Sequence, residues 1–421
     1  MGQTFAEKVL SAKLKREVHA GEIVQVEPDL VLTHDNSAAI AKTFASIGVK
    51  QVRYPERLVI VLDHCVPAAD FKHATNHKQI RDFVAAQGIA RFFDIQAGVC
   101  HQVVMEHGFA LPCMVCVGSD SHTTTYGATG ALAAGIGRTE TACTWATGEL
   151  WLRVPETLRI HVTGALPRRV GAKDIVLTAI GRLGADGADY KSVEWCGPAV
   201  EALSVDARMV LCNMSAEMGA KNGYVPADAT TLAWLAERNV SIRALGEVLR
   251  WQTDADAHVA ATHEMDAGEL EPVVACPHRV DNVKPVGEVA GKRVQQCLLG
   301  TCTNGRIEDL EAALEVLGTR SVHSGTRLLV FPASQQVNRE ALRRGLIERF
   351  MDAGAVLMNP GCGPCLGAHE GALAPGEACI STSNRNFKGR MGTPESEIYL
   401  ASPQSVAAAA VAGEIIDPRE V

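Results

Sequence analysis

A chain of 421 residues with 47% apolar and 21% charged residues has ordinary globular composition and room for several domains. The net charge of −8 supplies no basic footprint for nucleic acid, and apolar stretches such as 58–62 fall far short of the roughly 20 residues that span a bilayer. Aromatic residues are sparse at 5%, so a closely packed aliphatic core in α/β layers is expected in place of an all-β sandwich.

The opening segment, MGQTFAEKVLSAKLKREVHAG, reads as a charged amphipathic helix without the apolar centre of a signal peptide, which predicts a soluble, cytoplasmic protein. Short apolar runs then recur, each followed by a polar or glycine-rich loop and a helical pattern. RLVIVL precedes DHC and LPCMVCV precedes GSDSH. TGALAAGI reads as a small-residue packed helix, and Gly135-Ile-Gly137 lacks the third glycine of a dinucleotide loop, so no nucleotide is assigned. A helix-like stretch ends near Trp151, Pro155 breaks the chain, and a new strand begins with LRIHVTG. After a second break at NVKPVG, VQQCLL precedes GTCTNGR, LLVF precedes PASQQ, AVLM precedes NPGCGPC and EACIST precedes SNRNFKGR.

These runs are the pattern of buried parallel strands in βαβ units, and ligands bind outside the carboxyl ends of such strands. The breaks divide the chain into three expected α/β/α domains with mostly parallel sheets, at 1–155, 156–285 and 286–421.

Thirteen cysteines, an odd number, are not read as a disulfide framework in a reducing compartment. Most, such as Cys113 and Cys116, read as buried small hydrophobes. Three stand apart. Cys362 and Cys365 form a C-G-P-C pair within NPGCGPCLG, and Cys302 lies in a strand-to-helix turn, with a helix expected from about Arg306. Alone, a C-x-x-C pair fits half a zinc site, a thioredoxin-like redox pair, or two thirds of an iron–sulfur ligand set. A structural zinc needs four ligands, and no second C-x-x-C completes one. Three cysteines could hold three irons of a [4Fe–4S] cluster and leave the fourth open.

The segments GTCTNGR and NPGCGPCLG resemble the cluster-binding pair of the aconitase superfamily, and further matches follow in the family's order. They are Asp63 and His64 in VLDHCVP, His101 in GVCHQ, and Asp120, Ser121 and His122 in GSDSHTTTYGATG. Asn213 and Glu217 follow in CNMSAEMGAKNG, then Arg385 and Arg390 in SNRNFKGRMG. Length and both termini are most similar to the branch holding the large subunits of 3-isopropylmalate dehydratases and homoaconitases.

The resemblance implies three α/β domains converging on a central cluster, and a hydro-lyase that isomerises a hydroxy acid by removing and re-adding water. The first substrate it implies is 2-isopropylmalate, in leucine biosynthesis, with homoaconitate or 2,3-dimethylmalate as alternatives. It implies one [4Fe–4S] cluster on Cys302, Cys362 and Cys365, with one iron not ligated by cysteine. His64, oriented by Asp63, would donate the proton to the leaving hydroxyl, His122 would pair with Glu217, and His101 and Asp120 would complete the polar shell. Ser121, Asn213, Arg385 and Arg390 would bind substrate, and Asn304 and Asn384 could donate amides to the sulfurs or the ligand. The carbon-bound proton is taken in this family by a serine on a swivelling domain. The chain stops before such a domain, which implies a separate small subunit supplying that serine and further arginines.

Two departures speak against citrate as substrate. Thr123-Thr124-Thr125 stands where aconitases proper have Thr-Pro-Asn, and Ala39 stands where they are expected to have a substrate-contacting glutamine. Two readings from other classes are a non-catalytic iron–sulfur or zinc protein for sensing or RNA binding, and a C-x-x-C disulfide oxidoreductase. Retention of Asp63, His64, Asp120 and His122 argues against the first, and the length of the chain argues against the second.

Overall fold

The computed structural model describes residues 2–240, 245–367 and 369–421. Its first sheet has five parallel strands, in the spatial order Arg91–Phe93, Leu58–Val61, Leu30–Thr33, Val115–Gly118, Leu132–Gly135. The runs LVLT, LVIV and VCVG are buried at every position. A strand covered on both faces needs apolar side chains in both directions, hence the unbroken runs.

Leu132–Gly135 corrects one expectation, because LAAG is a strand and not a helix. Its small residues admit a neighbour. A Cβ on Gly135 would meet the carbonyl oxygen of Asp120 and the Cα of Ser121, each at 2.9 Å. Close backbone approach at this edge overrides the low strand propensity of alanine and glycine. Trp151 is likewise outside a helix. The helix Arg138–Thr147 ends at Gly148, and Trp151 lies exposed in Leu150–Arg153, antiparallel to Ile23–Val26.

The second sheet comprises Asn222–Tyr224, Ser192–Cys196, Thr157–Thr163 and Ala261–Asp266, all parallel. The third has seven strands. Glu397–Leu400, Ala378–Ser381, Gln296–Leu299, Arg327–Val330 and Val356–Leu357 run parallel, and Val273–Ala275 with Val283–Pro285 extend it antiparallel. The third sheet therefore begins at Val273, ahead of residue 286. The NVKPVG segment, whose proline and glycine suggest a linker, supplies the return strand of a hairpin.

One hydrophobic core joins the sheets: Leu32, Leu158, Leu298 and Leu400 belong to the same buried cluster. Loops at the strand ends thus stand on a shared, close-packed base. Among the described residues, no helix is long and apolar enough to cross a membrane.

Candidate active site

Segments that follow the carboxyl ends of strands in the first and third sheets open onto one cavity of about 290 Å³. In each sheet the winding reverses beside a strand that leads to the cavity. Leu30–Thr33 is flanked by Leu58–Val61 and Val115–Gly118, and Gln296–Leu299 by Arg327–Val330 and Ala378–Ser381. A crevice forms at such a switch point because the flanking connections leave on opposite faces.

Asp63 and His64 follow the strand Leu58–Val61. Asp63 is fully buried; one carboxylate oxygen lies 2.6 Å from His64 Nδ1 and the other accepts the Cys100 amide at 2.7 Å. That leaves Nε2 of His64 on the side of Asp120, whose Oδ2 is 3.9 Å away. Burial alone would lower the pKa of His64, but Asp63, then Asp35 and Asp120, raise it to about 10.

Asp35 holds this corner in place. Its Oδ2 accepts the amides of Asp63 and His64 at 2.9 Å each, and its Oδ1 lies 3.0 Å from His77 Nε2. Against the cost of burial, these contacts keep Asp35 far below the usual carboxylate range. His34 stacks on His64 with ring centroids 3.9 Å apart, and burial together with the charge of His64 pushes it down to about 4.

The sequence reading passed over His34, Asp35 and Asn36, although HDN follows a strand just as DHC does. Ala39 is exposed on the helix Ser37–Ser46, and His34 and Asn36 are the residues of this segment that line the cavity. Arg138 also lines the cavity, and no motif marks it beyond the glycines just before it.

Ser121 and His122 lie in the turn after Val115–Gly118, with Glu217 opposite, in the turn that ends the helix Val205–Ser215. His122 Nε2 is 2.8 Å from Glu217 Oε1, which also accepts from Arg385 Nε at 2.8 Å. Arg385 donates in addition to Ser121 Oγ at 2.9 Å. His101 bridges Asp120 Oδ1 (3.0 Å) and the Tyr126 hydroxyl (3.1 Å). Against burial, hydrogen bonds to Asp120 and Glu217 raise His122, while His122 and Arg385 lower Glu217.

The third sheet contributes sulfur. Cys302, Cys362 and Cys365 are 7%, 9% and 2% exposed, and all three line the cavity. Cys302 Sγ accepts from Asn384 Nδ2 at 3.1 Å and Asn213 Nδ2 at 3.3 Å. The preceding Thr301 has φ of +73°, a strained conformation for a β-branched residue. The fully buried Arg306 donates to the carbonyls of Thr303 (2.7 Å) and Cys302 (3.2 Å), fixing the turn ahead of the helix Ile307–Leu317.

The C-G-P-C loop rests on the first sheet, where the Cys362 amide donates to the Asp63 carbonyl at 2.7 Å. A Cβ at Gly361 would stand 2.9 Å from that same oxygen, so only glycine allows the contact. Arg390 Nη2 lies 3.9 Å from Cys365 Sγ. Burial pushes the Cys302 thiol up to about 12. Cys365 is held well below its ordinary value, first by the Cys362 thiol and then, against burial, by Arg390 and His122.

The Asn304 amide donates to Asp309 Oδ1 at 2.7 Å, and that of Asn384 to Cys302 Sγ. All thirteen cysteines are free thiols.

Sequence comparison meets this geometry independently. The pattern of the Aconitase family (aconitate hydratase) matches residues 7–292 and 282–413. The chain belongs to the aconitase family. Family members named as large subunits match end to end. The probable 3-isopropylmalate dehydratase large subunit of Methanothermobacter thermautotrophicus is 51% identical over 99% of both chains. The 3-isopropylmalate dehydratase large subunit 1 of Methanopyrus kandleri is 50% identical over 100% of this chain and 99% of its own. The homoaconitase large subunit of Thermus thermophilus is 49% identical over 100% of this chain and 98% of its own.

Proposed function

We propose that this chain is the cluster-carrying large subunit of a hydro-lyase that isomerises 2-isopropylmalate to 3-isopropylmalate, a step of leucine biosynthesis. The observation that carries this reading is the meeting, in one cavity, of three thiols with the pairs Asp63–His64 and His122–Glu217.

The thiols fit an iron–sulfur cluster better than a single ion. Among the described residues, the side chains that close to within 4.8 Å as a metal-capable group are His34, Asp35, Asp63 and His64, and the three cysteines are not among them. They are spread too far to share one ion, while two carboxamides and a guanidinium approach their sulfurs as donors to anionic sulfur would. Cys302, Cys362 and Cys365 would hold three irons of a [4Fe–4S] cluster. When bound, such a group supplies a Lewis-acidic iron that polarises the substrate hydroxyl.

The side chains divide the remaining work. His64, charged at neutral pH and held through Nδ1 by Asp63, presents Nε2 as the general acid for the departing hydroxyl oxygen. Arg385 and Arg390 hold substrate carboxylates, with Arg385 aimed by Glu217 and Ser121. His122, paired with Glu217 and backed by Asp120 and His101, holds the water released by elimination until it re-adds to the neighbouring carbon. The carbon-bound proton goes to a serine of a separate small subunit, which also supplies further arginines. The words "large subunit" in the relatives' names support such a partner.

Homoaconitate is the second reading of the substrate, favoured by 49% identity to a homoaconitase large subunit. Co-expression with the small subunit and anaerobic assay on 2-isopropylmalate and homoaconitate decides between them. The proposal expects the higher kcat/KM on 2-isopropylmalate. A cluster-loaded pair inactive on both acids would overturn it.

A further inference from the structure

Lys173, on the helix Ala172–Leu183 of the second sheet's unit, is 1% exposed and has no carboxylate within 4 Å among the described residues. A buried ammonium without an ion-pair partner is costly unless its donors and its charge are met in some other way. The donors are met. Nζ lies 2.7 Å from the Thr382 carbonyl, 2.8 Å from the Ser383 carbonyl and 3.8 Å from Met214 Sδ, which gives three acceptors for three N–H bonds.

Those acceptors belong to two segments of particular interest. Met214 follows Asn213, and Ser383 precedes Asn384. Asn213 and Asn384 are the two carboxamides that donate to Cys302 Sγ, and Asn384 Nδ2 also bonds Asn213 Oδ1 at 3.2 Å. One ammonium therefore ties together the two segments whose amides converge on one sulfur. The residue after Asn384 is Arg385, so the same clamp fixes the start of the guanidinium's reach to Glu217 and Ser121.

We propose that Lys173 is a positioning residue of the thiol site, clamping 213–214 to 382–384 from behind and balancing with its charge the anionic group that Cys302, Cys362 and Cys365 hold. This rests on the cluster reading given above. Burial pushes Lys173 down to about 7, and the first charges to oppose that fall are those of Cys302 and Cys365. With thiolates in place around a metal group, the missing counter-charge is supplied from the cavity side.

The test compares the full-length wild-type chain with Lys173→Met and Lys173→Arg, each reconstituted anaerobically with iron and sulfide. Metal-free Lys173→Met should fold, since an apolar side chain of similar length often replaces a buried charge at little cost. Once loaded, it should bind iron about 10-fold to 100-fold more weakly, as loss of a supporting contact behind a metal ligand does. Its cluster midpoint potential in an EPR-monitored titration should move to lower values. Lys173→Arg should stay near wild type in potential. An unchanged potential and unchanged iron retention in Lys173→Met would overturn the proposal, as would failure of both variants to fold without metal. Should Lys173→Met alone fail to fold, a wild-type potential in Lys173→Arg supports the assignment and a lowered one refutes it. A wild-type chain that takes up no cluster would instead overturn the functional reading on which the proposal stands.

Discussion

On the wall of the cavity built by the first sheet, His64, His101 and His122 each have a carboxylate partner, in Asp63, Asp120 and Glu217, and Asp35 stitches the backbone of that corner together. On the wall built by the third sheet, the thiols receive a few donors: two carboxamides on Cys302 and a distant guanidinium on Cys365. The first wall pairs these three imidazoles with carboxylates as the chain folds. The second holds buried sulfur approached by few donors, and burial pushes the Cys302 thiol up to about 12. A folded protein keeps such a wall where a bound group finishes it, so the acid–base apparatus should stand without that group and the thiol wall should not.

That difference can be broken most severely at the sulfur. Cys362→Ala should abolish cluster uptake and all activity of the two-subunit enzyme, while metal-free stability changes little. Parallel iron analysis and thermal melts check this. His64→Gln should do the converse: normal cluster content with kcat reduced about 10²-fold to 10⁴-fold, the span expected for loss of a general acid. If His64→Gln also lost the cluster, the two walls would not be separable.

A smaller effect is expected at the bridge between them. Glu217→Gln weakens the hold on both His122 and Arg385, so KM should rise and kcat should fall, each by about 10-fold. A change in kcat alone would remove Glu217 from the positioning of Arg385.

The smallest effect is on stability. His64 is raised from 6.5 to about 10, so its contribution is fully present below about pH 6.5 and is lost as pH rises through about 10. Thermal melts of metal-free wild type and His64→Gln should differ most near pH 6 and converge toward pH 10. A gap that widened with pH would contradict the assignment of a charged His64.

How much of this was readable beforehand follows from the kind of signal each part leaves. LVIV, VCVG and QCLL announce buried parallel strands because both of their faces are covered, and the polar residues just after them marked the cavity. LAAG misled because its reason for being a strand lies in another segment: the backbone of Asp120 and Ser121 crosses Gly135, which no local pattern records. The pairing of Val273–Ala275 with Leu400 is equally non-local.

Within the site, the residues carrying a sequence motif were found, and those acting from behind it were not. His34 and Asp35 support His64 by stacking and by backbone hydrogen bonds. Lys173 and Arg306 support the Cys302 wall by donating to carbonyl oxygens. Asn304, beside Cys302 in sequence, turns away to Asp309 because the capping of the following helix claims it. Of the two asparagines named from the sequence, Asn384, 82 residues from Cys302, is the one whose amide reaches its sulfur.

The most direct test of the account is iron and acid-labile sulfide per chain after anaerobic purification and reconstitution, in wild type and in Cys362→Ala. The account predicts about four of each in wild type and a sharp fall in the variant. Zinc in place of iron, or no metal in either protein, would contradict it.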